Sequence, residues 1–87
     1  MRIADYIACE LSKIAKNCYM VTGGGAMHLN DAFGKSDFNL VFCHHEQACA
    51  MAAEAEARIT RIPAIVNVTT GPGGINAING VFGAYTD

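Results

Sequence analysis

Residues 38–60 read FNLVFCHHEQACAMAAEAEARIT and change character near their middle. The beginning is almost entirely apolar, which predicts a buried β-strand over 38–43. The part from 45 to 60 is rich in alanine and lacks glycine and proline, which predicts a helix. A buried strand that leads directly into a helix is the repeating unit of α/β proteins. This stretch therefore predicts an α/β fold, against which the sequence on either side can be compared.

The sequence before this stretch continues the same alternation. A first helix that ends near Asn17 is predicted by apolar residues at helical spacing, namely Ile3, Ile7, Leu11 and Ile14. An apolar run predicts a strand over 18–22, and three glycines at 23–25 end it. A short helix is expected over 26–33. The upstream half thus supplies a helix, a strand and a second helix.

The sequence after the stretch supplies one more strand and one more helix. Residues 64–69 are rich in β-branched side chains and predict a strand. The segment 71–74, Gly-Pro-Gly-Gly, breaks it, and 75–85 can form a last helix. The resulting order predicts an α/β fold with three layers, α/β/α, around a parallel, flavodoxin-like sheet. With about three strands and four helices this sheet is small, so we expect an incomplete domain that is the front part of a larger one.

Parallel strands bring their following loops to one edge of the sheet, where open α/β sheets bind ligands. The loops at 22–25, 43–46 and 69–74 are therefore expected to converge. The first is Gly-rich but lacks the spacing of a dinucleotide fingerprint, so a tight turn explains it better. The last is more distinctive, because two hydroxyl residues and a glycine-rich turn precede Asn76, which should face the cleft.

Composition narrows the functional classes. The chain of 87 residues is 52% hydrophobic, has a net charge of −2 and has no basic stripe, which disfavours nucleic acid as a partner. It contains no apolar run near the roughly 18 residues of a membrane span, and we expect no membrane association. The four cysteines lie in apolar segments, so we expect small buried side chains in a cytoplasmic protein.

The segment CHHEQAC at 43–49 has the residue types of a metal site but not the spacing. His45 and Cys49 share one helical face, whereas Cys43 and His44 at the strand end point to opposite sides of the chain. Since no second ligand pair follows elsewhere, we expect no metal here. Glu46 is the more informative residue. It either complements the helix dipole or stands at the cleft as a half-buried carboxylate that shares a proton with a nitrogen base of a ligand.

Three strings together resemble one family: Gly-Gly-Ala after the first strand, HHEQACAMAAEAEAR, and NVTTGPGGINAINGVFGAYTD. They are similar to the N-terminal, pyrimidine-binding domain of thiamine diphosphate-dependent enzymes, in the acetolactate synthase-like group. The resemblance covers essentially the whole chain in order. It implies that residues 1–87 are a partial thiamine diphosphate-binding domain of a carboligase or decarboxylase that acts on 2-keto acids.

The resemblance also implies roles for individual residues. Glu46 matches the glutamate that hydrogen-bonds the aminopyrimidine ring of the cofactor and assists its activation. The remaining cofactor-binding positions, which match loops around the same ring, are Thr22, Gly23, Thr69, Pro72 and Asn76. The cofactor would carry out the chemistry on the substrate, and the protein would orient the cofactor in a pocket that excludes water.

Other parts of such an enzyme have no counterpart in the sequence. The family binds the diphosphate through Mg²⁺ in a separate domain with a Gly-Asp-Gly…Asn motif, and neither that motif nor the remaining strands of the pyrimidine domain occur here. A second subunit would complete the cofactor site, and FAD could occur in the full-length protein. We therefore expect the 87 residues alone to be inactive.

A different class of function remains open at this point. The chain could be a non-catalytic α/β ligand-binding or interaction module. Alanines at 48, 52 and 55 would then allow close helix packing in a dimer.

Overall fold

A computed structural model describes residues 2–86. The described residues form four helices and three strands, together with a 3₁₀ turn at Gly24–Ala26. In chain order they are α1 (Ile3–Leu11), β1 (Asn17–Met20), α2 (Met27–Gly34), β2 (Asn39–Phe42), α3 (Glu46–Thr60), β3 (Ile65–Asn67) and α4 (Pro72–Thr86). The strands form one parallel sheet in the order β2-β1-β3. This confirms the predicted α/β fold with a parallel sheet.

One face of the central strand β1 packs into the hydrophobic core. Cys18 and Met20 are almost completely buried and alternate along the strand, so both point to the side covered by α1 and α2. The other buried members of this core are Ala4, Ala8, Ala15, Ala32, Phe33 and Phe38. Phe33 and Phe38 meet edge to face, with ring centroids 5.4 Å apart. This core fixes β1, and therefore the loop that follows it.

The opposite face of the sheet is covered by α3, and α4 packs closely against α3. Ala50 and Ala53 of α3 are buried, as are Ala77 and Gly80 of α4. A Cβ built at Gly80 would lie 2.7 Å from the Ala50 carbonyl carbon. The absence of a side chain at Gly80 is therefore what lets these two helices come so close.

α1 ends at Leu11, well before the stop expected near Asn17, and the other main difference from the expected boundaries is at α4. It begins at Pro72 and not at residue 75, so Gly73 and Gly74 lie in its first turn. Proline suits this position because its ring presets a helical φ and the first helical N–H needs no partner. Gly71 precedes it with φ of +71°, a left-handed conformation that favours glycine. The glycines of this segment thus serve the helix start as well as the turn.

Two expectations about burial were wrong in part. β2 was expected to be covered on both faces, but it is an edge strand, and Val41 and Phe42 are exposed. Cys18 and Cys49 are buried as predicted, whereas Cys43 is only partly buried and Cys9 is exposed. Among helices formed by residues 2–86, none is long and apolar enough to cross a membrane.

Candidate cofactor-binding site

The loops that follow β1 and β3 meet at the side chain of Thr69. The Gly25 N–H donates to Thr69 Oγ1 at 3.1 Å. A Cβ at Gly23 would lie 2.5 Å from Thr69 Cβ, a separation that real Cβ atoms essentially never show. Gly23 is extended, with φ of −171° and ψ of 156°, so close packing and not backbone strain excludes a side chain there. The two loops therefore form one continuous surface at the carboxyl edge of the sheet.

Glu46 reaches the same edge from the first turn of α3. The helix is capped by His45, whose Nδ1 accepts from the Gln47 N–H at 3.1 Å, so the Glu46 carboxylate is not needed as a cap. It points instead toward the start of α4. Asn76 Nδ2 donates to Glu46 Oε1 at 3.4 Å. Glu46 is half-buried, which leaves the carboxylate accessible to a ligand.

Gly73 makes the approach of Glu46 to α4 possible. A Cβ at this position would lie 3.2 Å from Glu46 Oε2 and 3.0 Å from Thr69 Cγ2. Gly73 therefore lies between the carboxylate and the hydroxyl residue, and its lack of a side chain allows both to approach. The Glu46 carboxylate therefore lies next to backbone that carries no side chain.

Four of the six residues proposed from the sequence lie in this arrangement, since Gly23 contacts Thr69 and Glu46 contacts Asn76. Thr22 and Pro72 belong to the same two loops, and both are exposed. Pro72 acts on the site through the helix start, because it sets where α4 begins and hence where Asn76 lies. The predicted convergence of the loops thus brings the carboxylate and the glycine-rich segments to one edge.

The cysteines near Glu46 have packing roles. Burial, together with the neighbouring Cys43, raises the pKa of the Cys49 thiol to about 12. Burial likewise raises the pKa of Cys18 to about 11. Such thiols stay protonated at neutral pH and are poor nucleophiles. Within residues 2–86, no three His, Cys, Asp or Glu side chains lie close enough to hold a metal ion.

Two asparagines behind the first loop were missed by the sequence reasoning. Asn67, at the end of β3, is 5% exposed, and its Nδ2 donates to Asn30 Oδ1 at 2.9 Å. Asn30 Nδ2 donates in turn to the Gly23 carbonyl at 3.2 Å. One signal could have pointed to Asn67: an amide interrupts the β-branched strand Ala64-Ile65-Val66-Asn67-Val68. Asn30 offered no comparable signal, because a polar residue on a short helix usually faces water.

Comparison with known proteins identifies the family of the chain. Residues 1–87 match the family described as thiamine pyrophosphate enzyme, N-terminal TPP binding domain. The mitochondrial acetolactate synthase of Schizosaccharomyces pombe is 37% identical over 73 residues, which are 83% of this chain and 11% of that protein. The acetolactate synthase isozyme 3 large subunit of Escherichia coli is 40% identical over 75 residues, which are 83% of this chain and 13% of that protein.

A third relative extends the comparison to the archaea. The probable acetolactate synthase large subunit of Methanocaldococcus jannaschii is 37% identical over 65 residues, 75% of this chain. The aligned part is 11% of that protein, so the chain spans only about a tenth of the length of these relatives. The match to the family nevertheless covers all 87 residues. The chain therefore belongs to the thiamine pyrophosphate enzymes and is an N-terminal TPP-binding domain of that family.

Proposed function

We propose that these 87 residues are the N-terminal part of a longer thiamine diphosphate-dependent carboligase or decarboxylase that acts on 2-keto acids. The observation that carries the proposal is the place of Glu46: its carboxylate stands at the carboxyl edge of the parallel sheet, beside Asn76 and a glycine at position 73. The substrate class is supported by the relatives, which are named acetolactate synthases.

The residues present fit the pyrimidine half of the cofactor. A flat ring with donors and acceptors needs a carboxylate at one edge and backbone, free of side chains, against its face. Glu46 supplies the carboxylate, and Gly23, Gly25 and Gly73 leave the surface around Thr69 without Cβ atoms. Thr22 and Pro72 would border the ring from the same loops.

Glu46 would hold a proton in a hydrogen bond with the ring nitrogen of the aminopyrimidine. The bound cofactor supplies a group that stabilises the negative charge left when a 2-keto acid loses carbon dioxide. The chain's own contribution is to orient the ring, to hold that proton, and to exclude water from the face that Gly73 and Thr69 form. We assign the diphosphate with its Mg²⁺, and any FAD, to parts of the enzyme outside these 87 residues. We propose a reducing compartment such as the cytoplasm, where free cysteines like those among the described residues persist.

Cofactor binding by the full-length enzyme tests this function. Calorimetry with thiamine diphosphate and Mg²⁺ should detect binding to the wild-type enzyme. Gly23→Ala should lower the affinity by about tenfold or more, because the new methyl group must displace Thr69, and overpacking of this kind typically costs about 1–3 kcal/mol.

Gly34→Ala, at the end of α2 and outside the site, is the matched control for this experiment. A Cβ at Gly34 has no neighbouring atom within 4 Å, so the affinity of this variant should stay within about twofold of wild type. A wild-type enzyme that binds no thiamine diphosphate would overturn the proposed function. Wild-type affinity in Gly23→Ala would instead show that the ring is bound somewhere else.

We further propose that a second subunit covers α4. The side of α4 that faces away from α3 carries large apolar residues at spacings of three and four, and each of these is more than half exposed: Ile75, Ile78, Phe82 and Tyr85. Contiguous exposed apolar side chains of this kind mark contact surfaces. Because α4 also carries Asn76, a subunit docked on this stripe would lie next to the cofactor site.

Phe82→Glu should weaken subunit association in the full-length enzyme. Phe82 is 67% exposed in the single chain, and burying a phenylalanine contributes about 1.5–3 kcal/mol, so the dissociation constant should rise by about tenfold or more. Sedimentation velocity over a range of concentrations measures this shift. Ile3→Glu is the control, because Ile3 is 80% exposed but lies on α1, on the other side of the sheet. Unchanged assembly of Phe82→Glu would rule out this surface.

A further inference from the structure

Asn67 is an unusual residue for its position. Among the described residues it is the one buried polar side chain, at 5% exposure. It ends β3, and its Cα pairs with that of Met20 in the central strand. A buried amide is tolerated only where its hydrogen bonds are satisfied, and an apolar residue would fill the same volume without that requirement. Its presence in the core therefore implies a partner that accepts a hydrogen bond from the amide.

That partner is reached through Asn30. Asn67 Nδ2 donates to Asn30 Oδ1 at 2.9 Å, and Asn30 Nδ2 donates to the Gly23 carbonyl oxygen at 3.2 Å. The Gly23 carbonyl, the last acceptor in this chain of hydrogen bonds, determines which group donates in each bond. A carbonyl oxygen only accepts, so Asn30 must present its NH₂ group to Gly23 and its oxygen to Asn67. Asn67 must then present its own NH₂ group.

The bond to Gly23 determines how the first loop is oriented. The Gly23 carbonyl also accepts from the Ala26 N–H at 3.1 Å, so two donors hold the same oxygen. The peptide that joins Gly23 and Gly24 is planar and trans, so its N–H points away from its carbonyl. Holding the oxygen toward Asn30 therefore turns the Gly24 N–H away from α2.

Gly25, the residue after this peptide, marks a second point at which the loop is held. The Gly25 N–H donates to Thr69 Oγ1, and Thr69 follows Asn67 by two residues. The loop is thus attached to the end of β3 at two points, by the asparagine pair on one side and by Thr69 on the other. A change at either point would let Gly23 move away from Thr69, which it contacts closely.

We propose that Asn67 and Asn30 are positioning residues for the cofactor-binding loop. Together they orient the Gly23–Gly24 peptide and keep the loop packed on Thr69, and so determine the shape of the surface that receives the aminopyrimidine ring. The role of these residues toward the ring rests on the proposed function, whereas the attachment of the loop does not depend on that function.

The main variant is Asn30→Asp in the full-length enzyme. The two side chains have nearly the same shape, but a carboxylate cannot donate to the Gly23 carbonyl. Without cofactor, hydrogen exchange at the Gly25 and Ala26 amides should accelerate by about tenfold, the equivalent of one lost hydrogen bond. Amides of β1 should exchange as in wild type. With cofactor, the KM for thiamine diphosphate should rise by about tenfold while kcat at saturation changes less. Asn39→Asp, exposed at the start of β2 and at the opposite edge of the sheet, is the control and should change neither.

A double variant separates positioning from stability. In Asn30→Leu/Asn67→Leu both partners become apolar, so no buried amide is left unpaired and the unfolding temperature should stay near that of wild type. The exchange rates and the KM should nevertheless remain high, because the Gly23 carbonyl has lost the donor that Asn30 supplied and keeps only the Ala26 N–H. Recovery of the KM together with the unfolding temperature would show that the asparagines only fill space, and would overturn the proposal.

The two measurements also separate this inference from the function it uses. Unchanged exchange at Gly25 and Ala26 in Asn30→Asp overturns the attachment of the loop, whatever the enzyme binds. A wild-type enzyme without affinity for thiamine diphosphate overturns the proposed function and, with it, the role toward the ring. In that case the exchange data still decide whether the asparagines hold the loop.

Discussion

Glu46→Gln should lower the kcat of the full-length enzyme by about 10²–10⁴-fold, the range over which a positioned proton-transfer group contributes to catalysis. Glutamine has nearly the shape of glutamate, and its oxygen can still accept from Asn76. It cannot take up or release the proton that the proposed role requires. The measurement is the steady-state release of carbon dioxide from a 2-keto acid at saturating thiamine diphosphate and Mg²⁺.

Glu10→Gln is the matched control for this substitution. Glu10 lies on α1 and pairs with Lys13 on the surface at 3.1 Å, and exposed pairs of this kind contribute little to stability. Both variants should unfold at nearly the wild-type temperature, because the interaction of Glu46 with the helix dipole is worth only about 0.3–1 kcal/mol. Near-normal turnover in Glu46→Gln would contradict the role assigned to the carboxylate.

Gly80→Ala should be the most destabilising single methyl addition in the two helices behind the site. A Cβ at Gly80 would meet three atoms of Ala50 at once, including the carbonyl carbon at 2.7 Å and the carbonyl oxygen at 2.9 Å. Backbone atoms in the interior of α3 can move only if the whole helix moves. Alanine normally stabilises a helix by about 1 kcal/mol relative to glycine, but overpacking costs about 1–3 kcal/mol or more. We expect a net loss of about 1–2 kcal/mol, measured as a lower unfolding temperature.

Gly83→Ala tests the same change one turn further along α4. A Cβ there would lie 2.8 Å from Glu54 Oε1, which is the far end of a flexible side chain and can rotate away. This variant should be as stable as wild type or slightly more stable. Equal unfolding temperatures for Gly80→Ala and Gly83→Ala would contradict the close approach of α3 and α4. Because α3 also carries Glu46, a displaced α3 should reduce turnover in Gly80→Ala alone.

The central strand-helix unit could be predicted from the sequence almost to the residue. The strand expected over 38–43 occurs at Asn39–Phe42, and the helix expected over 45–60 occurs at Glu46–Thr60. Both are encoded locally, by an apolar run and by helix-forming residues without a breaker. The start of α4 was misplaced because glycines usually end helices. Here Pro72 begins the helix, and the two glycines that follow remain in its first turn.

Residues of the candidate site that belong to a sequence motif could be predicted, whereas residues that only packing brings together could not. Glu46 stood out because a carboxylate directly after a buried strand must reach the carboxyl edge of a parallel sheet. The path from Asn67 through Asn30 to Gly23 could not be read from the sequence, since Asn67 and Asn30 are 37 positions apart. Their contact requires that α2 and the end of β3 lie side by side.

The sequence by itself therefore determined the type and order of the elements, the edge at which the loops gather, and the carboxylate that stands there. Each of these follows from periodicity or from motifs of a few residues, which act through local backbone preferences. Only the tertiary structure decided which residues meet across that edge: Gly23 against Thr69, Gly73 beside Glu46, and Gly80 against Ala50. These contacts join distant parts of the chain at separations where one methyl group matters, because protein interiors are close-packed and leave no spare volume.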